Sequence, residues 1–180
     1  MPAKTVVGRV MQNFREVRRI SNAYASGIGR VISRWAYLEW LLTDITHRVL
    51  GMGPKQGRLV VRDARAYERV ETIDTLMRLR QLKTSVDLKQ LASDLKSAES
   101  DRNLLAHGMW IKHPRTGKLH VWFIRGNWRP DPKQPKVSRK IKPEAVRKAP
   151  ADLRACYKAI DRLIGELRNL QAEVEKAVTP

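Results

Sequence analysis

From Gly27 to Val49 the apolar residues Ile28, Val31, Ile32, Trp35, Leu38, Leu42, Ile45 and Val49 recur mostly at steps of three and four, which is the spacing of one face of an α-helix. The stretch GMGPKQG at 51–57 then places three glycines and a proline together, enough to end that helix in a turn. A second stripe, Ala66, Val70, Ile73, Leu76 and Met77, predicts a helix from about Leu59 to Lys83. Asp87 is placed to cap a third, which carries Leu88, Leu91, Leu95 and Ala98 and runs to Ala106 or His107, with Gly108 as its stop. A last helix, about 151–178, alternates steps of three and four through Leu153, Cys156, Ile160, Leu163, Leu167, Leu170 and Val174 to Ala177. This is a heptad seam that belongs either inside a bundle or between subunits. Residues 1–25 carry a further helical stripe on Val10, Phe14, Val17 and Ile20, with Ser26, Gly27 and Gly29 at the join to the next helix.

Between the third and last helices the period changes. In MWIKHPRTGKLHVWFIRG aromatic and β-branched residues flank a Pro-Arg-Thr-Gly turn, the signature of a hairpin with short strands. Residues 129–148 then hold eight Lys or Arg, two acids and four prolines, a composition that predicts an extended, solvated basic arm. The expectation is one all-α domain over 1–180: a helical core at 27–108, a small β-hairpin insertion at 109–126, the arm at 127–149 and a long C-terminal helix at 150–178.

Charge changes the picture from a generic bundle to one with a polyanionic partner. There are 36 Lys and Arg against 18 Asp and Glu, a net charge of +18, which suits RNA, DNA or an acidic protein better than a neutral small substrate. The single cysteine, Cys156, leaves no internal disulfide framework and reads as core. The N-terminal stretch has no unbroken apolar region, and the most apolar run, WAYLEWLLTDI, carries Glu39 and Asp44. A cytoplasmic protein without a membrane span is expected.

Two charges interrupt the apolar stripes. Leu88, Leu91, Leu95 and Ala98 fall within an arc of about 80° on the third helix, and Arg102 lies inside it. On the first predicted helix Glu39 stands about 40° from Trp35, also on the core face. An isolated buried charge costs several kcal/mol, so the two are expected to meet as a bidentate pair, either purely structural or holding Arg102 at the floor of a cleft. Asn103 and His107 lie about 100° and 140° from Arg102, which groups the three polar side chains on one half of the helix's last turns.

The residues RNLLAH resemble the R-N-x-x-x-H signature of the HEPN superfamily, and AHGMW with the upstream WAYLE is similar to a bacterial and phage-associated branch of it. The likeness covers about residues 27–110, and the C-terminal helix would complete the bundle; the hairpin and arm are insertions relative to a plain HEPN bundle. The resemblance implies an all-α HEPN-like fold and a homodimer that brings two copies of the motif together. It further implies a metal-independent endoribonuclease without cofactors, of a kind that serves in toxin–antitoxin systems, phage defence or RNA processing, sometimes restrained by an antitoxin or regulatory protein. Carried onto matching positions, the family's roles fall on Arg102, Asn103 and His107. Other members have lost catalysis and act as RNA-binding or dimerisation modules, and a basic chain also suits a DNA-binding accessory protein.

These residue types fit that chemistry. A histidine titrates near neutrality and can take the proton of a ribose 2′-hydroxyl, an arginine can neutralise the phosphorane-like transition state, and an asparagine can orient either. The same His107 also suits a plain helix terminus, where it complements the dipole and the free carbonyls. Arg129, Lys133, Lys136, Arg139, Lys140 and Lys142 are either a phosphate-tracking surface or a solvated linker. Trp122, Phe123 and Trp128 either stack on bases or form the hairpin's own core. His113 and His120 flank the turn without a third ligand at useful spacing, so no metal site is expected.

Overall fold

The computed structural model describes residues 15–17, 19–53, 55–56, 64–113, 115–125 and 142–178. Among them are four long helices: α1 (Asn22–Leu50), α2 (Ala66–Leu79), α3 (Leu88–His107) and α4 (Pro150–Val178). Four strands, β1 (Arg15–Glu16), β2 (Met109–Lys112), β3 (Leu119–Arg125) and β4 (Lys142–Arg147), form one antiparallel sheet in the order β1-β2-β3-β4. No described helix is long and apolar enough to cross a membrane.

The heptad of α4 is spent inside the chain. Leu153, Cys156, Ile160, Leu163, Leu167, Leu170 and Val174 are buried together with Val31, Trp35, Leu38, Leu42, Ile45 and Val49 of α1 in one core to which α2 and α3 also contribute. Side-chain pairs fix the helix directions. Arg34 bridges to Asp161, Gln171 donates to Asp44 and Arg48 bridges to Glu175, the last two at a constant separation of 127 residues, so α1 and α4 run parallel. On the other side Asp101 meets Lys148, Asp94 meets Arg162 and Ser85 meets Glu173, so α3 runs antiparallel to α4 and hence to α1. The parallel pair α1 and α4 is not consecutive in the chain, and three strands of the sheet lie between the neighbouring ends of α3 and α4.

The consequence is that the start of α1, the end of α3 and the start of α4 lie at one end of the bundle, with the sheet beside them. β1 precedes α1, β2 follows α3 and β4 precedes α4, while β3 lies between β2 and β4 in the chain. At that junction the Tyr24 hydroxyl donates to the Lys148 carbonyl at 3.2 Å, and the Tyr24 ring meets Trp110 edge-on at 5.5 Å. A Cβ at Gly27 would lie 2.8 Å from Leu153, so glycine allows the two helices to approach.

Several expectations are corrected. Residues 15 and 16 are not helical but extend the sheet, opposite Lys112 and Ile111, because β2 offers a free edge; Val10 and Phe14 lie outside the described residues. The basic arm is not extended throughout, since residues 142–147 pair with the outer edge of β3; Pro143, lacking an N–H, is tolerated on an edge strand. The hairpin is therefore the centre of a four-stranded sheet. Ile32 is 43% exposed instead of buried. The second helix stops at Leu79 instead of Lys83, where Gln81 takes a left-handed φ of 56°. The Gln81 and Leu82 N–H groups donate to the Arg78 and Met77 carbonyls, a Schellman closure usually marked by glycine. Gly108 does end α3, but in an extended conformation with φ −75°, so its role is not a left-handed stop.

Asp87 caps α3 as expected, accepting from the Lys89 and Gln90 N–H groups. The loop before it is tied down by Glu173 of α4, whose carboxylate accepts from the hydroxyls of Thr84 and Ser85 and from the Ser85 N–H. These hydrogen bonds, the Ser85 hydroxyl first, hold the Glu173 carboxyl below its ordinary value of 4.5. A depressed acid stabilises the fold above its unfolded pKa and loses that contribution as pH falls through the folded one. Glu173→Ala is therefore expected to lower the melting temperature at pH 7, with the difference from wild type shrinking in melts taken progressively below pH 4.5.

Candidate active site

Helix α3 carries a polar face along its C-terminal half. At 100° per residue Lys96, Ser100, Asn103 and His107 fall within an arc of about 60°, while Arg102 lies about 140° from His107. The structure follows this geometry. Asn103 and His107, both exposed, line an open cleft of about 960 Å³ at the sheet end of the bundle, and Arg102 is not among its lining residues.

One rim of the cleft is the start of α2, with Arg65 and Tyr67, and the other is formed by Trp122 of β3 and Lys148 just before α4. The Lys148 side chain is only 16% exposed and lies 3.7 Å from Asp101. On the opposite rim the Lys96 ammonium stands 5.4 Å from the Tyr67 ring centre. Glu99 also lines the cleft. Burial pushes its carboxyl above the ordinary value, against the pull of Arg65 and Arg102 and with the repulsion of Glu39 and Glu68.

The expected Glu39–Arg102 ion pair is not formed; both residues engage Trp35 instead. The Trp35 indole N–H donates to Glu39 Oε1 at 2.9 Å, and the Arg102 guanidinium lies 5.7 Å from the Trp35 ring centre. Arg102 Nη1 donates to Asn103 Oδ1 at 2.7 Å, and its Nε is shielded from water without a hydrogen-bond partner among the described residues. The half-buried charge is thus accommodated by a ring face and a side-chain amide. The Trp35 side chain takes up both carboxylate and guanidinium.

A buried ion pair would make Glu39→Gln strongly destabilising, whereas a hydrogen bond from Trp35 does not. A glutamine keeps the oxygen that accepts the Trp35 proton, so its melting temperature should match wild type within about 0.5 kcal/mol of stability. Trp35→Phe, which keeps a ring under Arg102 but removes the donor and leaves a cavity where the indole filled the core, should cost about 2–3 kcal/mol. Thermal melts of the two variants check this, and a strongly destabilised Glu39→Gln would restore the ion-pair reading.

Of the candidate nucleic-acid residues, Arg129, Lys133, Lys136, Arg139 and Lys140 lie outside the described residues, as do Phe123's side chain and Trp128. The Lys142 backbone pairs with Arg125 at the far end of β4. His113 and His120 stand with ring centres 6.1 Å apart across the β2–β3 turn. Among the described residues no group of three or more His, Cys, Asp or Glu is placed to hold a metal ion. Arg65, Tyr67, Glu99 and Lys148 were not singled out from the sequence. Only Glu99 and Lys96 carry a local signal, since they precede Asn103 and His107 at helical spacing; the others reach the cleft through tertiary packing. No family model matches the chain, and no curated protein or solved structure matches it.

Proposed function

We propose that the chain is a metal-independent endoribonuclease of the HEPN type, with His107 and Asn103 at its reacting centre. The observation that supports this most is their joint placement, one helical turn apart, in a cleft bordered by Arg65, Lys96 and Lys148. His107 takes the proton from a ribose 2′-hydroxyl, and the 2′-oxygen attacks the adjacent phosphorus. The bond to the 5′-oxygen breaks, and that oxygen leaves with a proton from an acid, either a second His107 or water. The products are a 2′,3′-cyclic phosphate and a 5′-hydroxyl. Arg102 acts through Asn103: it fixes the amide that orients the histidine or the phosphate and adds positive charge from behind.

A homodimer is part of the proposal. α1 leaves Ile32 and Trp40 exposed on the flank adjoining Trp35 and Glu39, a face through which a second copy would bring its own motif close. One observation favours the second reading, a binding protein without catalysis: the guanidinium expected as the clamp lies on Trp35, outside the lining of the cleft. Incubation with single-stranded RNA in excess EDTA separates the two. Cyclic-phosphate ends that vanish in His107→Ala support the nuclease, whereas tight, salt-sensitive binding with no cleavage leaves an RNA-binding module. Equal binding to DNA would favour a DNA-binding accessory protein.

A further inference from the structure

The two rims of the cleft are built alike. The α2 rim offers the Tyr67 ring and the Arg65 cation, and the opposite rim offers the Trp122 ring and the Lys148 cation, with Asn103, Leu104 and His107 on α3 between them. On the helical wheel His107 sits near the middle of the cleft-facing arc, whereas Glu99 and Asp101 mark its edges. The Trp122 indole N–H is shielded from water and has no acceptor among the described residues. Two aromatic residues on opposite rims exceed what a single phosphate would require, and their pairing with cations matches the alternation of base and phosphate along a strand.

We propose that Tyr67 and Trp122 are base-stacking platforms that receive unpaired nucleotides on either side of the phosphate at His107, with Arg65 and Lys148 holding the flanking phosphates, so that the site selects single-stranded RNA laid across α3. The inference rests on the reading of the cleft as a nuclease site. A paired base has its faces covered within the helix stack and cannot reach either ring, so duplex is rejected by geometry. The acids stand aside from the track: Asp101 is tied to Lys148 at 3.7 Å, and Glu99 is half-buried at the edge of the arc. Lys96 is exposed, and an arriving phosphate draws its ammonium from the Tyr67 ring as the base settles there.

The test uses an uncleavable probe, a fluorescent 2′-O-methyl single-stranded RNA, alone and annealed to its complement, with binding read by anisotropy. Wild type is expected to bind the single strand at least tenfold more tightly. Tyr67→Leu is expected to weaken binding about tenfold, from the loss of one stacked base. Tyr67→Phe, which loses only the hydroxyl donating to Glu68, is expected to bind as wild type. Trp122→Phe keeps a ring in the sheet and should bind near wild type, whereas Trp122→Leu should weaken binding like Tyr67→Leu, with circular dichroism checking that the sheet persists. Arg65→Gln and Lys148→Gln should each lower the slope of log affinity against log salt by about 0.7. Equal affinity for the duplex, or unchanged affinity in Tyr67→Leu, overturns the proposal. Absence of cleavage of the unmodified RNA overturns the nuclease reading instead, and the two failures are read in separate assays.

Discussion

His107→Ala is expected to slow metal-free RNA cleavage by about 10²–10⁴-fold, the usual worth of a positioned general base or acid, while the melting temperature hardly moves. The second half of that expectation follows from its position. His107 is exposed, is the last residue of α3 and lies outside the hydrophobic core, so truncation removes at most a favourable interaction with the helix dipole, about 0.5 kcal/mol. A large kinetic effect without a stability effect is what distinguishes a reacting group from a capping residue. Arg102→Ala should differ in both respects. Its guanidinium lies on Trp35 and donates to Asn103, so its loss disturbs packing and lets the amide swing, giving a smaller fall in rate with a measurable fall in melting temperature. If His107→Ala cuts RNA as wild type does, the nuclease assignment fails whatever Arg102 does. Single-turnover rates in EDTA, with melts of the same samples, provide the comparison.

The division between His107 and Arg102 shows what the sequence could and could not disclose. Periodicity located all four helices, and it placed Arg102 correctly on the apolar side of α3, because burial in a helix repeats at 3.6 residues whatever the partner. It could not say which side chain would meet the charge. Glu39 was the electrostatic choice, yet Trp35, one turn earlier on the same helix, offers both a donor for the acid and a face for the cation. The end of α2 was overrun because Gln81 adopts the left-handed conformation that glycine would have advertised. The arm reads as extended and solvated because its charge and prolines hide Ala145 and Val146, whose backbone pairs with that of Trp122 and Val121 on β3. Pairing of distant strands and packing of distant helices leave little trace in local composition; Lys148 reaches the cleft at the end of β4, and Arg65 and Tyr67 reach it at the start of α2.

The helix pair also explains why the candidate site lies where it does. Because α1 and α4 run parallel, two helix starts and the end of α3 converge, and each of the three is continued by a strand of the same sheet. The motif at the end of α3 is therefore held from two directions: by Trp35 of α1 beneath Arg102 and by β3 beside Gly108. The first contact sets the polar side chains and the second sets the angle at which the helix gives way to the sheet. A defect in either should reach His107 without touching it.

Gly108 puts that coupling to the test, and Gly108→Ala is expected to destabilise the fold by about 3 kcal/mol, at the upper end of ordinary overpacking. A Cβ built at this position would stand 2.1 Å from Val121 Cγ1 and 2.5 Å from the Leu104 carbonyl oxygen. Both neighbours are constrained. Val121 is fully buried in the middle of the sheet and paired on both sides, with Trp110 and Val146, and the Leu104 carbonyl accepts the Gly108 N–H at 3.0 Å as the closing hydrogen bond of α3. The backbone there has φ −75° and ψ 146°, values that any residue adopts, so the requirement for glycine is one of space and not of conformation. A helix stop of the left-handed kind would tolerate asparagine, whereas this site should reject asparagine and alanine alike. Relief is expected from the neighbour: Val121→Ala in the Gly108→Ala background should recover part of the loss, although Val121→Ala alone costs stability by leaving a cavity. A double-mutant cycle by chemical denaturation measures that coupling. If the two effects simply add, β3 is not what keeps residue 108 a glycine. In the single variant β3 can accommodate the new methyl group only by moving away from the end of α3, which shifts Trp122 relative to His107, so cleavage should fall further than the fraction of unfolded protein accounts for.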